Sequence, residues 1–456
     1  MEIPQLVAQQ RLYFNTDQTR DVNKRRDALK LLRKNIRKHE KDITRALAED
    51  LGKPAGEAYM TEIGMALANL RYFIGNVRRL AADQKATTPI TLQPAKSRIV
   101  AEPYGCCLII APWNYPFLLA LDPLIAAVAA GNCAVVKPSE MAPATSQVIA
   151  TLVAETFPPE WVTVCQGGID VSEALLQERF DYIFYTGSPR VGKIVMQHAA
   201  EHLTPVTLEL GGKSPCIIDE TADLDLAMRR TLFGKVINAG QTCVAPDYLL
   251  VHRSLRERLV EAFEKAFAQL LGDKPLESRH YCRIINRRHF DRLTAYLQDG
   301  KVLAGGDIRT DTLTITPTLL EIGNREASVM QEEIFGPILP VIFYEHLSEV
   351  YDYVRSHEKP LALYLFSTNS DTIGYVMHNL PFGGGCINDT LMHVATRHLP
   401  FGGIGNSGMG QYHGKWGFDT FTHPKSVVIK AQAGDFAFRY PPYSWKKLRL
   451  IKFFLR

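Results

Sequence analysis

The rhythm of residues 106–185 constrains the fold more than any other feature of the chain. Short apolar runs at 106–110, 134–137, 162–165 and 182–185 have strand length, while 116–130 and 144–157 are long enough for helices. Strands separated by helices cannot close as hairpins. They need crossovers, and crossovers give parallel strands with helices packed on the sheet. The expectation is an α/β fold with a doubly wound sheet. Around residues 209–214 the alternation restarts and runs to about Gly403, with helices expected near 225–239 and 255–271. A chain of 456 residues has room for this second α/β unit.

Ahead of the first strand, Leu29, Leu32, Ile36, Ile43 and Leu47 fall at spacings of 3, 4, 7 and 4, the stripe of one amphipathic helix over residues 23–50. Lys24, Arg25, Arg26, Lys30, Arg33, Lys34, Arg37, Lys38 and Lys41 occupy the other face, which reads as solvated. Across the chain 52 Lys and Arg oppose 48 Asp and Glu, and a net charge of +4 is too small for this length to grip nucleic acid. The Cys at 106, 107, 133, 165, 216, 243, 282 and 386 form no C-x-x-C pair and no zinc spacing, which fits a reducing, cytoplasmic compartment and no metal site. All except Cys243 lie mostly in apolar runs and read as small buried hydrophobes. The first residues lack a signal-peptide pattern, and the most apolar stretch, 117–130, is broken by Asp122-Pro123 and too short to span a bilayer.

Four segments offer chemistry. Thr186-Gly187-Ser188-Pro189-Arg190-Val191-Gly192 follows an apolar strand and opens a helix, where backbone N–H groups and the helix dipole can meet a phosphate. Its plainer reading is an ordinary turn, since the G-x-G-x-x-G spacing is absent. Lys137-Pro138-Ser139-Glu140 ends a strand at the sheet edge where open α/β sheets bind ligands; it offers a cation and a carboxylate to ribose hydroxyls, or is a surface loop. In Val206-Thr207-Leu208-Glu209-Leu210 the alternation sets Glu209 opposite three aliphatic side chains, as a general base or as an exposed strand residue. Asn238-Ala239-Gly240-Gln241-Thr242-Cys243-Val244-Ala245-Pro246 holds Cys243 in a polar turn. Turn N–H groups there can favour the thiolate, which an unperturbed thiol populates at only about 3% near pH 7.

With Pro112-Trp113-Asn114-Tyr115-Pro116, Leu208-Glu209-Leu210-Gly211-Gly212-Lys213, Glu333-Ile334-Phe335-Gly336-Pro337 and Pro400-Phe401-Gly402-Gly403, the Lys137 and Cys243 segments resemble the aldehyde dehydrogenase superfamily in order and spacing over about residues 10–430. Ala245-Pro246-Asp247-Tyr248, Tyr412-His413-Gly414-Lys415 and Arg439-Tyr440-Pro441-Pro442-Tyr443 resemble its class 3 branch, which oxidises medium-chain, fatty and aromatic aldehydes. The resemblance implies a Rossmann-like cofactor domain over 1–81 and 105–208, a second α/β catalytic domain over 209–410, and a small β bridging element with a tail over 82–104 and 411–456. It implies Cys243 as nucleophile, Asn114 with the Cys243 N–H as oxyanion donors, and Glu209 as activator of the hydrolytic water. The implied cofactor is NAD, with NADP as the alternative. Thr186, Gly187, Ser188 and Gly192 would lie at its pyrophosphate, Lys137 and Glu140 at the adenosine ribose, and Glu333 with Phe335 at the nicotinamide end; Leu210 joins these contacts. Tyr115, Thr242, Thr396 and His413 are expected around the aldehyde.

The same resemblance implies a homodimer in which residues 97–100 with 425–430 extend the partner's catalytic sheet. In 445–456, Trp445, Leu448, Ile451 and Leu455 recur at helical spacing among Lys446, Lys447, Arg449, Lys452 and Arg456. That pattern suits weak peripheral contact with a membrane surface, or a tail packed over the dimer partner near the substrate mouth. Three rival readings compete. A CoA-acylating aldehyde dehydrogenase is disfavoured by Glu209, and a thiol hydrolase leaves Lys137 and Glu333 unexplained. A non-catalytic binding protein on the same fold would be marked by loss of Asn114, Glu209 or Cys243, and all three are present.

Overall fold

The computed structural model describes residues 2–272, 274–432 and 434–455. Its first sheet runs Gly408–Met409, Val206–Glu209, Tyr182–Thr186, Cys106–Ile110, Cys133–Lys137, Val162–Val164, all parallel except the antiparallel Gly408–Met409. Crossover helices Leu118–Ala130, Pro143–Thr156 and Pro189–Glu201 cover it. Burial on both faces explains why the Cys106–Ile110 and Cys133–Lys137 strands read as continuous apolar runs rather than alternating ones.

After Glu209 the chain builds a second sheet, in the order Lys301–Ala304, Thr318–Glu321, Ile338–Tyr344, Tyr248–His252, Pro215–Ile218, Ala362–Phe366, Gly384–Ile387. Only Lys301–Ala304 is antiparallel. A third, antiparallel sheet joins Gln84–Ala86, Ala95–Pro103 and Thr422–Lys430, pairing Ser97 with Val428 and Val100 with Lys425.

Four expectations need correction. The stripe over 23–50 belongs to two helices, Val22–Lys38 and Glu40–Leu51, separated at His39. The imidazole reaches Asp42 and Glu155, each at 3.1 Å, and the seven-residue step from Ile36 to Ile43, close to two turns, hides the break from periodicity. Arg25 is not on a wet face. It is buried, and its guanidinium donates to the carbonyls of Thr19 at 2.5 Å, Arg20 at 3.0 Å and Ala129 at 3.3 Å, the last at the C-terminal end of helix Leu118–Ala130, where a cation is favoured. The chain leaves that helix through Gly131 at φ +100°, where a Cβ would lie 2.5 Å from the same guanidinium. The helix expected near 225–239 stops at Val236, because Asn238 and Ala239 adopt left-handed φ of 53° and 51°. Cys165 and Cys386 are partly exposed, while Cys106, Cys107, Cys133, Cys216 and Cys282 are buried as expected.

Candidate active site

The left-handed pair at Asn238 and Ala239 sets the turn that presents Cys243. Gly240 follows at φ +71°, and a Cβ there would lie 2.3 Å from the Gly336 carbonyl, so glycine lets this turn press against the loop carrying Glu333. The turn is tied through its side-chain amides, with Asn238 Oδ1 left unpartnered. Asn238 Nδ2 donates to the carbonyls of Asn114 at 2.8 Å and Gln241 at 3.0 Å. Gln241 Nε2 donates to Asn238 O at 2.9 Å and Arg283 O at 3.0 Å, and Gln241 Oε1 accepts from the Ile285 N–H at 3.0 Å. Cys243 itself is partly exposed. Burial raises its thiol pKa, and the Glu333 and Glu209 carboxylates raise it further, while the N–H groups of Cys243 and Val244 act in the opposite sense. The thiolate expected from turn N–H donors alone is therefore not favoured without a base.

Asn114 is buried beside this turn, and its Nδ2 donates to Gln241 O at 3.0 Å, leaving the second amide proton for an incoming oxygen. Behind it lies a buried charged cluster with no expectation attached to it from sequence. Lys53 Nζ pairs with Glu62 and donates to Asn114 O at 3.3 Å. Glu62 Oε2 accepts the N–H groups of Phe117 at 2.9 Å and Leu118 at 3.2 Å, capping the helix that follows Asn114. Glu57 Oε1 accepts the Asn238 N–H at 2.8 Å; burial raises its carboxyl pKa despite the nearby Lys53.

Glu209 ends a strand inside the first sheet, and it is buried rather than exposed. Neither carboxylate oxygen has a hydrogen-bond partner, and burial drives its pKa well above the ordinary value. Glu333 lies over Gly211, where a Cβ would stand 1.8 Å from its Oε2. Its pKa is raised to about 8, chiefly by burial and then by Asp247, with the Gly212 N–H, Lys213 and Lys235 opposing.

The loop around Glu333 is fixed by residues that motif reading passed over. Lys213 pairs with Asp247 at 2.5 Å and donates to Val329 O and Glu332 O, both at 2.9 Å. Asp247 Oδ1 accepts the Ile334 N–H at 2.9 Å, Lys235 Nζ donates to Gly336 O at 2.9 Å, and Arg292 donates to Ile334 O at 2.7 Å. Lys213 and Asp247 sit inside the quoted motifs; a charge kept within a Gly-rich or apolar run was the available signal. Phe335 takes φ 51° and meets Trp113 edge-on at 5.3 Å.

On the other side of the first sheet's carboxyl edge, Lys137 is buried rather than part of a surface loop. Its Nζ donates to Pro138 O at 2.9 Å and to Glu140 at 3.3 Å, while Glu140 itself is exposed. Thr186 Oγ1 is buried without a partner. Ser188 caps helix Pro189–Glu201 by accepting the Val191 N–H at 3.4 Å, and a Cβ on Gly192 would crowd Leu210 at 2.9 Å. Gly187 adjoins Tyr185, whose hydroxyl would lie 2.2 Å from an added Cβ.

Of the four residues expected around the aldehyde, Tyr115 and Thr242 meet, hydroxyl to hydroxyl, at 2.6 Å. His413 instead stacks on Phe401 at 5.2 Å and faces a cavity formed with Val394, Ala395 and Arg397, while the neighbouring Thr396 is not in its wall. Tyr412 links the two groups: its hydroxyl pKa is raised by burial and then by Glu209, Asp122 and Cys243.

The profile of the "Aldehyde dehydrogenase family" matches residues 2–427. The chain is 47% identical to "4,4'-diaponeurosporen-aldehyde dehydrogenase" of Staphylococcus aureus, over 100% of its own length and 99% of that relative's. It is 42% identical to "Aldehyde dehydrogenase, dimeric NADP-preferring" of Canis lupus familiaris, over 98% and 99% of the two chains. The solved "Substrate bound state of Staphylococcus Aureus AldH" superposes with a TM-score of 0.98 at 47% identity, covering 100% of both chains. A partly exposed Cys beside an amide donor and an unpartnered carboxylate, on a fold shared over its whole length with such enzymes, leads to one assignment: the chain belongs to the aldehyde dehydrogenase family.

Proposed function

We propose that this enzyme oxidises medium- to long-chain aliphatic or aromatic aldehydes to carboxylates with NAD, NADP being the alternative cofactor. Residues 1–81 and 105–208 form the cofactor domain, 209–410 the catalytic domain, and 82–104 with 411–456 the bridging element and tail. The observation that carries the reading is the Glu209 carboxylate, buried with both oxygens unpartnered on the side of the Cys243 thiol. A buried acid without a partner is costly unless the reaction uses it.

Glu209, its proton affinity raised by burial, takes the thiol proton, and the Cys243 sulfur adds to the carbonyl carbon. The electron pair displaced onto oxygen is held by the free Asn114 Nδ2 proton and the Cys243 N–H, each worth about 3–4 kcal/mol in comparable sites. The nicotinamide, when bound, supplies the hydride acceptor. Glu209 passes the thiol's proton to solvent and then takes one from the water that attacks the resulting Cys243 thioester; the C–S bond breaks, that proton returns to the sulfur to restore the thiol, and the acid leaves and ionises in solvent. A dinucleotide fits the residues present: Lys137 has an ammonium proton beyond its two bonds, Thr186 Oγ1 lacks a partner, and Ser188 opens a helix at the strand end. Glu140, beside Lys137, repels a 2'-phosphate and so favours NAD.

The test is a panel of aldehydes from acetaldehyde to hexadecanal with benzaldehyde, each run with NAD and NADP while reduced nicotinamide is followed at 340 nm, roughly its absorbance maximum. Turnover without CoA, best with longer or aromatic members, is expected. No turnover, or a strict need for CoA, overturns the reading.

The chain assembles as a homodimer through its third sheet. Thr422–Lys430 is an edge strand with Val428 and Ile429 about half exposed, a liability that pairing with a second copy removes. Among the described residues no helix is long and apolar enough to cross a membrane. Helix Trp445–Phe454 nevertheless exposes Trp445, Leu448, Leu450 and Phe453 beside Lys446, Lys447, Arg449 and Lys452, and this supports weak, reversible contact with an anionic surface. Arg456 lies outside the described residues.

A further inference from the structure

A cavity of about 60 Å³ is lined by Met65, Asn69, Leu118, Asp122, Val394 and His413 among others. It is room for a few small groups, since a single water needs only about 10–15 Å³ of such space. Its wall is apolar apart from Asn69, Asp122, Arg397 and His413. There Asn69 Nδ2 donates to Asp122 Oδ1, while Asn69 Oδ1, in a residue only 8% exposed, is buried with no partner. His413 Nε2 stands 3.8 Å from Asp122 Oδ2, too far for a hydrogen bond, and Arg397 is turned to the Ala68 carbonyl at 2.7 Å. Neither supplies the missing donor to Asn69.

The cavity is bordered by helix Leu118–Ala130, which follows Tyr115. Leu118 follows Tyr115 by three residues, and Tyr115 touches Thr242 beside Cys243. Asp122 is one helical turn further, about 6 Å. Tyr412 meets His413 of the cavity wall ring to ring at 4.4 Å, and Glu209, Asp122 and Cys243 are the charged or titrating groups that act on its hydroxyl. A carbonyl held at Cys243 therefore directs its far carbons past Tyr115 and Leu118. A plain alkyl end leaves Asn69 Oδ1 without a donor, as it already is in the free protein, whereas a hydroxyl supplies one, a difference of about 1–3 kcal/mol.

We propose that Asn69 and Asp122 form a terminal subsite selecting aldehydes that carry a hydroxyl several carbons from the carbonyl. The hydroxyl donates to Asn69 Oδ1 and accepts nothing charged. Burial raises the Asp122 carboxyl to about 7 despite the Asn69 and Arg397 contacts, so near neutrality the cavity is not a strong cation site. This inference rests on the reading that Cys243 attacks an aldehyde.

The experiment compares kcat/KM of the full-length enzyme with NAD for alkanals, ω-hydroxyalkanals and ω-methoxyalkanals of four to ten carbons. At the fitting length the hydroxyl compound should exceed both others about tenfold, the worth of one well-made buried hydrogen bond. Asn69→Leu should bring that ratio near one. A wild-type ratio near one at every length means that water fills the cavity and overturns the subsite, a result needing no variant to fold. A methoxy compound matching the hydroxyl, or a ratio unmoved by Asn69→Leu, overturns it too. In those cases alkanal oxidation still stands, whereas absence of all aldehyde turnover removes the oxidation reading and the subsite together.

Discussion

Replacing Glu209 with Gln separates the two halves of the reaction. Gln keeps the shape of a side chain that makes no hydrogen bond in the fold, so nothing structural is broken. It also cannot ionise. The folded-state pKa of Glu209 is raised, so whatever stability this group contributes is present below its unfolded pKa near 4.5 and lost as pH rises through the folded value. Glu209→Gln should therefore melt no lower than wild type at pH 8, as read by Tm. Kinetically, loss of a positioned base costs about 10²–10⁴ in rate, or about 3–5 kcal/mol at 1.36 kcal/mol per decade. The thiol can still lose its proton slowly to solvent, whereas water attack on the thioester loses the one buried carboxylate among the described residues with both oxygens unpartnered. Stopped-flow mixing with saturating aldehyde and NAD should then show about one equivalent of reduced cofactor per site, followed by a steady state 10²–10⁴ slower, by the same estimate. A steady-state rate equal to wild type refutes a role for Glu209 as base. A missing burst with Cys243 still alkylated at the normal rate moves Glu209 to hydride transfer.

Cys243→Ala should abolish dehydrogenase activity with Tm unchanged, because the residue is partly exposed; retained turnover would end the assignment of the nucleophile. Cys133→Ala, in a fully buried strand position, should instead lower stability by about 1 kcal/mol in urea unfolding and leave kcat intact. Lys213→Met leaves the Asp247 carboxylate buried without its cation and frees the Glu333 loop, so unfolding free energy should fall by about 3–5 kcal/mol and KM for NAD should rise. An unchanged KM would show that the loop does not depend on this pair. Full-length protein should sediment with anionic liposomes at low salt, less at high salt, and not after deletion of residues 445–456; protein that stays in the supernatant at low salt refutes membrane contact. Light scattering at micromolar concentration should give twice the chain mass of 51.1 kDa, and a monomer counts against the bridging sheet as a dimer contact.

Local order was legible in the residues themselves. Crossover spacing and continuous apolar runs at 106–110 and 134–137 dictate parallel strands, because a strand covered on both faces has no polar side to show. The turn holding Cys243 and the glycines at 211 and 240 were visible for the same reason: close backbone approach permits no Cβ, and that requirement is written into composition. The family motifs added the roles expected of Asn114, Glu209 and Glu333.

What periodicity could not decide depends on neighbours brought from far along the chain. Alternation placed Glu209 opposite three aliphatic residues, but whether that face met water or protein was settled by packing, which buries Thr207 and Glu209 alike, while Gly408–Met409 returns from the far end of the sequence to pair the strand's edge. Arg25 read as one cation among nine on a wet helix face, and only the end of helix Leu118–Ala130, more than a hundred residues later, makes it a buried donor. The pairs Lys53 with Glu62 and Lys213 with Asp247 carry no periodic signal. A buried charge is tolerable only where partners converge from several elements, and convergence is a property of the packed structure. Asp122 shows the limit most clearly. In sequence it interrupts an apolar stretch and argues against a membrane span; in the fold the same carboxyl stands beside Asn69 at the end of a cavity, because two helices and the Val394–Arg397 turn meet there. Sequence set the alphabet of elements by local sterics and burial pattern, and tertiary packing chose which polar groups lost their water.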